Sequence, residues 1–273
     1  MVWRPEFFSE NQAKERPMTI QFGPHHMTWL GYACIRIEGP DETVVYTDPG
    51  RYGTLTGTWA DQYGGMAHPS GPEYAPEDGD LVLVTHDHHY DSDGIQRVAS
   101  DDGTVLLFDE IDAERIRNGG RDVRDPLDLG VEVRRVGTEE THEIEGVTIE
   151  TLPAYNRPDG RNVRADGSPI HPKGFGCGYQ FSLAGRSFCW PGDSDVLPVH
   201  RDLDVSVLLP SIASSFTMNR HDVAKLVDEI VPDLVVPIHY NTFRSLTADS
   251  RAFAGDVAAH SVPVALDERG FID

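Results

Sequence analysis

Lysine is almost missing from this chain of 273 residues. It occurs only as Lys14, Lys173 and Lys225, and the other basic residues are arginine. With 23 basic against 45 acidic side chains, the formal net charge is −22. Such a surface repels polyanions, so nucleic acid and anionic membranes are excluded as expected partners. Cysteine is also scarce. Cys34, Cys177 and Cys189 are far apart, odd in number and form no C-x-x-C, which argues against a disulfide framework or a zinc knuckle. They read as small buried hydrophobes. No apolar run is long enough to span a bilayer. The opening stretch, MVWRPEFFSENQAKERP, is charged and lacks the apolar segment of a secretory signal, so a cytoplasmic location is expected. No short repeat period is visible.

What is present points to a folded α/β chain. Hydrophobic residues make up 39% of it, enough for a sizeable core. Heavy acidity with so little lysine predicts adaptation to molar salt, where screening removes self-repulsion. Residues 1–20 read as an irregular lead-in to a single domain covering 1–273. MTWLGYACIRIE, Met27 to Glu38, alternates like a half-buried strand and pairs as a hairpin with TVVYTDP. Residues 51–80 are rich in Gly, Pro and Tyr without periodicity, a long loop that could serve as a lid. LVLV is a strand, DGIQRVAS a short helix, TVLLF a strand and IDAERIRNGG a glycine-capped helix. VEVRRV, HEIEGVTIETLPA, GYQFSLAGRSFCW and DVSVLL follow as strands. A helix from Met218 is capped by Asn219 and stopped by Pro232. LVVPIHY, a helix from Ser250 and a last strand, VPVAL, complete the chain. The pattern suits a two-layer sheet core with flanking helices.

Four apolar strands end in His or Asp: Asp48 after TVVYT, His86 after LVLVT, Asp193 after SFCWPG, and His239 after LVVPI. Strand ends at one sheet edge are where sites gather. A single such histidine is more often a structural hydrogen-bonding residue. Four together, with His88 two residues beyond His86, favour a metal. His and carboxylate ligands suit zinc, manganese or iron better than calcium or magnesium.

In order, TVVYTDP, VTHDHHYDSDG, WPGDSD and VPIHY resemble the motifs of the metallo-β-lactamase-fold hydrolases. More narrowly, WLGYACIRI, LPAYN, HPKGFGCGYQF, PGDSDVLP and LLPSIASSFTM are similar to the L-ascorbate-6-phosphate lactonase-like branch. The resemblance implies an αββα sandwich of two mixed sheets carrying one or two ions, Zn2+, Mn2+ or Fe2+, at one edge. It implies that His86 and His88 bind the first metal, that Asp193 bridges and that His239 binds the second. It makes Asp48 the acid that orients ligand histidines. For the first metal's third ligand it points to His171, with Asn156 as competitor.

One motif departs from the family's H-x-H-x-D-H. Counting from His86, Tyr90 falls at the Asp and Asp91 at the second-site His. A one-residue insertion instead leaves His89 or Tyr90 extra, puts Asp91 in the Asp role and Ser92 at the last His. Both alignments keep Asp91 as an inward-facing ligand, and both leave the second metal one imidazole short. His89 could supply it if the loop bulges. Tyr32 likewise stands where relatives often carry His.

The implied chemistry is hydrolysis of a small ester, lactone or phosphoester by activated water, with Asp91 or Asp193 holding that water. Tyr240 or a metal-held water would protonate the leaving group, and Arg51, Arg157 and Lys173 are candidate anion clamps. Two other readings remain at this level: a non-catalytic or regulatory metal-binding protein with a degenerate second site, and a purely structural acidic domain. A small-molecule substrate is the expected partner, and homo-oligomerisation stays open.

Overall fold

The computed structural model describes residues 18–268. Most of the expected lead-in lies outside the described residues. Seven strands form the first sheet in sequential order: β1 (Ile20–Phe22), β2 (His25–Gly31), β3 (Cys34–Glu38), β4 (Val44–Thr47), β5 (Gly79–Val84), β6 (Ala99–Phe108) and β7 (Glu132–Val136). The first four are antiparallel; from β4 onward the pairing is parallel. The second sheet runs from β8 (Thr141–Ile144) through β9 (Val147–Ala154), β10 (Gly176–Leu183) and β11 (Arg186–Trp190) to β12 (Val207–Leu208) and β13 (Leu234–Val235). It too is mixed, with β8 to β11 antiparallel and the last two strands parallel. The helices are α1 (Trp59–Tyr63), α2 (Ser92–Val98), α3 (Ala113–Asn118), α4 (Arg220–Ile230) and α5 (Ser250–Ala258). Two mixed sheets with flanking helices match the expected αββα sandwich.

The strands follow from their sequences. β4 and the LVLV run of β5 are buried at every position, as parallel strands covered on both faces must be. One continuous cluster of buried side chains joins Trp29 and Ile35 of the first sheet to Phe181 and Phe188 of the second. Across the interface Tyr179 of β10 donates its hydroxyl to the carbonyl of Val84 at 3.0 Å.

Several expectations change in detail. The stretch Met27–Glu38 is two antiparallel strands, because Gly31 and Tyr32 take left-handed backbone (φ 105° and 53°) and reverse the chain. HEIEGVTIETLPA and GYQFSLAGRSFCW each fold as a hairpin about two left-handed residues, Glu145-Gly146 and Ala184-Gly185. Such two-residue turns match the twist of their strands. VPVAL forms only a single bridge, Val235 with Val264. Residues 51–80 are not wholly irregular: they contain α1, and Trp59 on it donates to the carbonyl of Thr242 at 2.9 Å. That bond ties the segment to the loop after β13. Among the described residues no helix is long and apolar enough to cross a membrane.

Candidate metal centre

The C-terminal ends of strands from both sheets meet at one edge. Asp48 follows β4, His86 follows β5, Asp193 follows β11 and His239 follows β13, while His171 comes from the loop joining β9 to β10. Among the described residues two groups could hold a metal ion. His86, His88 and His171 form one; His86, His89 and Asp193 form the other. Within each group the ligand atoms lie within 4.8 Å of one another. His86 is common to both.

The turn after β5 decides which side chains enter. The amides of His89 and Tyr90 both donate to the carbonyl of His86, at 3.0 and 3.1 Å. This winding brings His89 back beside His86, with ring centroids 4.2 Å apart. His89 Nε2 lies 3.0 Å from His239 Nε2 and 3.7 Å from Asp193 Oδ1. His239 Nε2 is 3.5 Å from the same oxygen, and His86 Nε2 is 3.5 Å from Asp193 Oδ2. His171 Nδ1 is 4.0 Å from Asp193 Oδ2, and its Nε2 is 3.1 Å from His88 Nδ1.

Two expectations about this turn are corrected. Asp91 is not in either group. Its Oδ1 accepts the amides of Asp93 and Gly94, capping α2, and its Oδ2 accepts the amide of Arg51 at 2.7 Å. Both oxygens are thus spent on backbone donors, as an N-cap carboxylate's usually are. Tyr90 is buried and points away, donating to the carbonyl of Arg124 at 2.9 Å. His89, by contrast, turns inward and joins the group with His86 and Asp193.

Asp48 lies against the histidine turn, its carboxylate fully engaged. Its carboxylate accepts the Thr85 amide at 2.8 Å, the Thr85 hydroxyl at 2.9 Å, Trp190 Nε1 at 2.7 Å and His89 Nδ1 at 2.8 Å. Burial alone would raise the Asp48 carboxyl. The facing His89, then His86 and the Thr85 amide, outweigh it and hold the group below the usual carboxylate range. With Nδ1 carrying the proton toward Asp48, His89 Nε2 turns a lone pair inward. Thr85 also meets His86 Nδ1 at 2.9 Å, so one hydroxyl links the acid to a second histidine. Thr85 was not singled out from the sequence, although a hydroxyl directly before H-x-H was a readable signal.

Asn156 is a buttress rather than a ligand. Its Oδ1 accepts the amide of His171 at 3.0 Å and its Nδ2 donates to the carbonyl of Phe216 at 2.8 Å. Tyr240 is turned away as well: its ring stacks on Trp29 at 4.8 Å and its hydroxyl lies beside Glu268. It is therefore no proton donor to this site. Of the candidate anion clamps, Arg157 pairs with Asp159 at 2.6 Å in solvent. Lys173 is exposed. Arg51 does reach the site's edge, donating to the carbonyl of His88 and lying 4.5 Å over the ring of Tyr52.

The donor set fits a transition metal. His86 Nε2, His171 Nδ1 and both oxygens of Asp193 are buried without a hydrogen-bond partner. Buried polar atoms ordinarily have partners, so converging orphans mark a place for a cation. Burial pushes His171 down to about 3 and His239 down to about 4, keeping both imidazoles neutral, as metal ligation requires. For Asp193 burial is outweighed by His239, His89 and His86, which keep it ionised. Nitrogen with carboxylate oxygen is the chemistry of zinc, manganese or iron sites.

Comparison with known proteins agrees. A model described as a beta-lactamase superfamily domain matches residues 26–239. A UPF0173 metal-dependent hydrolase of Methanopyrus kandleri is 30% identical over 241 residues, covering 85% of this chain and 90% of the relative. A relative of the same description from Thermus thermophilus is 29% identical over 181 residues, 64% of this chain and 71% of its own. Among solved structures, the isothiocyanate hydrolase from Delia radicum gut bacteria aligns with a TM-score of 0.61 at 17% identity, covering 90% of this chain and 98% of that one. A metallo hydrolase of Ignicoccus hospitalis aligns with a TM-score of 0.59 at 19% identity, covering 90% and 95%. At such identities these two structures speak for the fold alone. The αββα sandwich, the cluster of His and Asp at its edge and the match over residues 26–239 lead to one conclusion: the chain belongs to the beta-lactamase superfamily, alongside the UPF0173 metal-dependent hydrolases.

Proposed function

We propose that the protein is a metal-dependent hydrolase of a small ester, lactone or phosphoester, built as one domain and holding up to two ions of the Zn2+, Mn2+ or Fe2+ type. The observation that carries this is Asp193: a buried carboxylate with neither oxygen hydrogen-bonded, within 3.5 to 4.0 Å of His86, His239 and His171. Against the regulatory alternative, which rests on a missing second-site imidazole, stands the position of His89 beside His239 and Asp193.

In the site, His86, His88 and His171 would hold one ion, and His89, Asp193 and His239 the other. Bound metal supplies Lewis acidity, lowering the pKa of water from ~15.7 to ~7 and polarising the scissile bond. Asp48 keeps His89 in one tautomer and, through Thr85, steadies His86. Asp193 is the group able to accept a proton from the attacking water and pass it to the leaving group. Asp91, its competitor in the sequence, is committed to α2 and Arg51. A place in the lactonase-like branch and a cytoplasmic setting accord with this reading.

The test is metal analysis joined to activity. Protein purified without chelator should carry up to two equivalents of transition metal. Hydrolysis of simple esters, lactones or phosphodiesters should vanish on chelation, return with Zn2+ or Mn2+, and be lost in His86→Ala with folding intact. A metal-free preparation, or activity indifferent to chelation, would refute the proposal.

A further inference from the structure

Beside the cluster lies a run of aromatic rings that the metal chemistry does not use. Tyr32 packs on the ring of His89 at 4.8 Å and on that of His239 at 4.5 Å. Its other neighbours are Tyr52, at 5.0 Å, and Phe243, at 6.5 Å. Tyr52 and Phe243 meet at 4.8 Å, and Tyr63 of α1 closes the group at 5.9 Å from Tyr52 and 6.3 Å from Phe243. Tyr52, Tyr63 and Phe243, with Arg244 and Ser245, line an open cleft of about 590 Å³. Tyr52, Tyr63 and Phe243 are each only half-buried.

We infer that this cleft receives an apolar, preferably aromatic, end of the substrate whose scissile group lies at the metal centre. The inference rests on the hydrolase reading and deepens it. Two observations support it. The cleft adjoins the site through Tyr32, whose ring touches a proposed ligand on one side and Tyr52 on the other. The chain carries a net charge of −22, yet the cleft is lined by aromatic carbon and one guanidinium. An aromatic box could instead hold a cation by its ring faces. That occupant is disfavoured, because Arg51 already covers Tyr52 and Arg244 lines the wall. A cation would meet two guanidinium groups, whereas a neutral ring can pack on the aromatic side chains without charge repulsion.

The backbone is shaped for this placement. Arg51 and Tyr52 are successive non-glycine residues with left-handed φ of 64° and 51°. Such conformations persist only where their surroundings enforce them. The Asp91 carboxylate takes the amide of Arg51, and the amide and hydroxyl of Thr54 both donate to the Arg51 carbonyl.

The probes are matched carboxylates and their esters. Binding of 4-phenylbutyrate and of butyrate to the metal-loaded protein is measured by calorimetry. Hydrolysis of the two methyl esters is followed by proton release. The phenyl compound should bind at least tenfold more tightly. That ratio should fall toward one in Phe243→Ala, and likewise in Tyr63→Ala, with butyrate binding and metal content unchanged. Equal affinities in the wild type, no binding of 4-phenylbutyrate, or a ratio untouched by both variants would overturn the inference. If the binding ratio holds while neither ester is cleaved, ester hydrolysis fails and the cleft stands. If both esters are cleaved equally well and bound equally, the cleft fails and the hydrolase stands.

Discussion

His89 Nδ1 lies 2.8 Å from Asp48 Oδ2, and this contact fixes which nitrogen of His89 faces His239 and Asp193. Removing the charge removes the preference. Asp48→Asn should therefore weaken binding of the second metal, by roughly 10- to 100-fold on the usual scale for such partners. Metal titration read by calorimetry checks it; unchanged affinity for both ions would contradict the role given to Asp48.

His89 and Asp91 make opposite predictions. His89→Ala should lower bound metal from two equivalents toward one. Asp91→Ala should leave metal content intact and cost about 2 kcal/mol of stability through the lost helix cap and the lost acceptor for the Arg51 amide. Elemental analysis beside chemical denaturation of the two variants separates them. Metal loss in Asp91→Ala without loss of stability would restore it as a ligand.

Acid should destabilise the protein through a histidine outside both metal-capable groups. His200 is fully buried, and its Nδ1 accepts the Leu197 amide at 3.1 Å. Burial pushes it down from 6.5 to about 4. Below pH 6.5 the unfolded chain binds a proton there that the folded one refuses. The stability this residue contributes is thus complete above pH 6.5 and declines as pH falls to 4, by on the order of 3 kcal/mol. In His200→Leu the decline over that interval should be smaller by that amount, at a cost of about 1 kcal/mol at neutral pH for the lost acceptor. Denaturation midpoints at pH 7 and pH 4.5 measure both effects.

Salt should act on the whole surface. With a net charge of −22, self-repulsion is relieved as the screening length shrinks from ~10 Å at 0.1 M to ~3 Å at 1 M. The melting temperature should rise by several degrees between 0.1 and 2 M KCl. A flat profile would end the expectation of adaptation to high salt.

Much of this site was legible because strand ends are legible. Asp48, His86, Asp193 and His239 each follow an apolar run, and His171 follows from the order of the motifs. What failed was the phase of one turn. An inserted residue after His88 can project inward or outward, and hydrogen bonds from His89 and Tyr90 to a single carbonyl decide which. No pattern of residue types encodes that choice. The hairpins were blurred for a similar reason: Glu145-Gly146 and Ala184-Gly185 reverse the chain without interrupting its alternation. The aromatic cleft was invisible for another reason. Tyr52 and Tyr63 stand far from Phe243 in the chain and meet it only through the packing of residues 51–80 onto the loop after β13.

Gly50 and Gly94 bring two stretches of backbone into direct contact: a side chain at Gly50 would meet the Gly94 Cα and the Asp91 carboxylate at 2.9 Å. The loop carrying Asp48 and the start of α2 therefore cannot separate by small sliding motions. They should open to solvent as one cooperative unit. Amide exchange in residues 50–53 and 93–98 would then share a single opening free energy, and loosening either stretch would release the other.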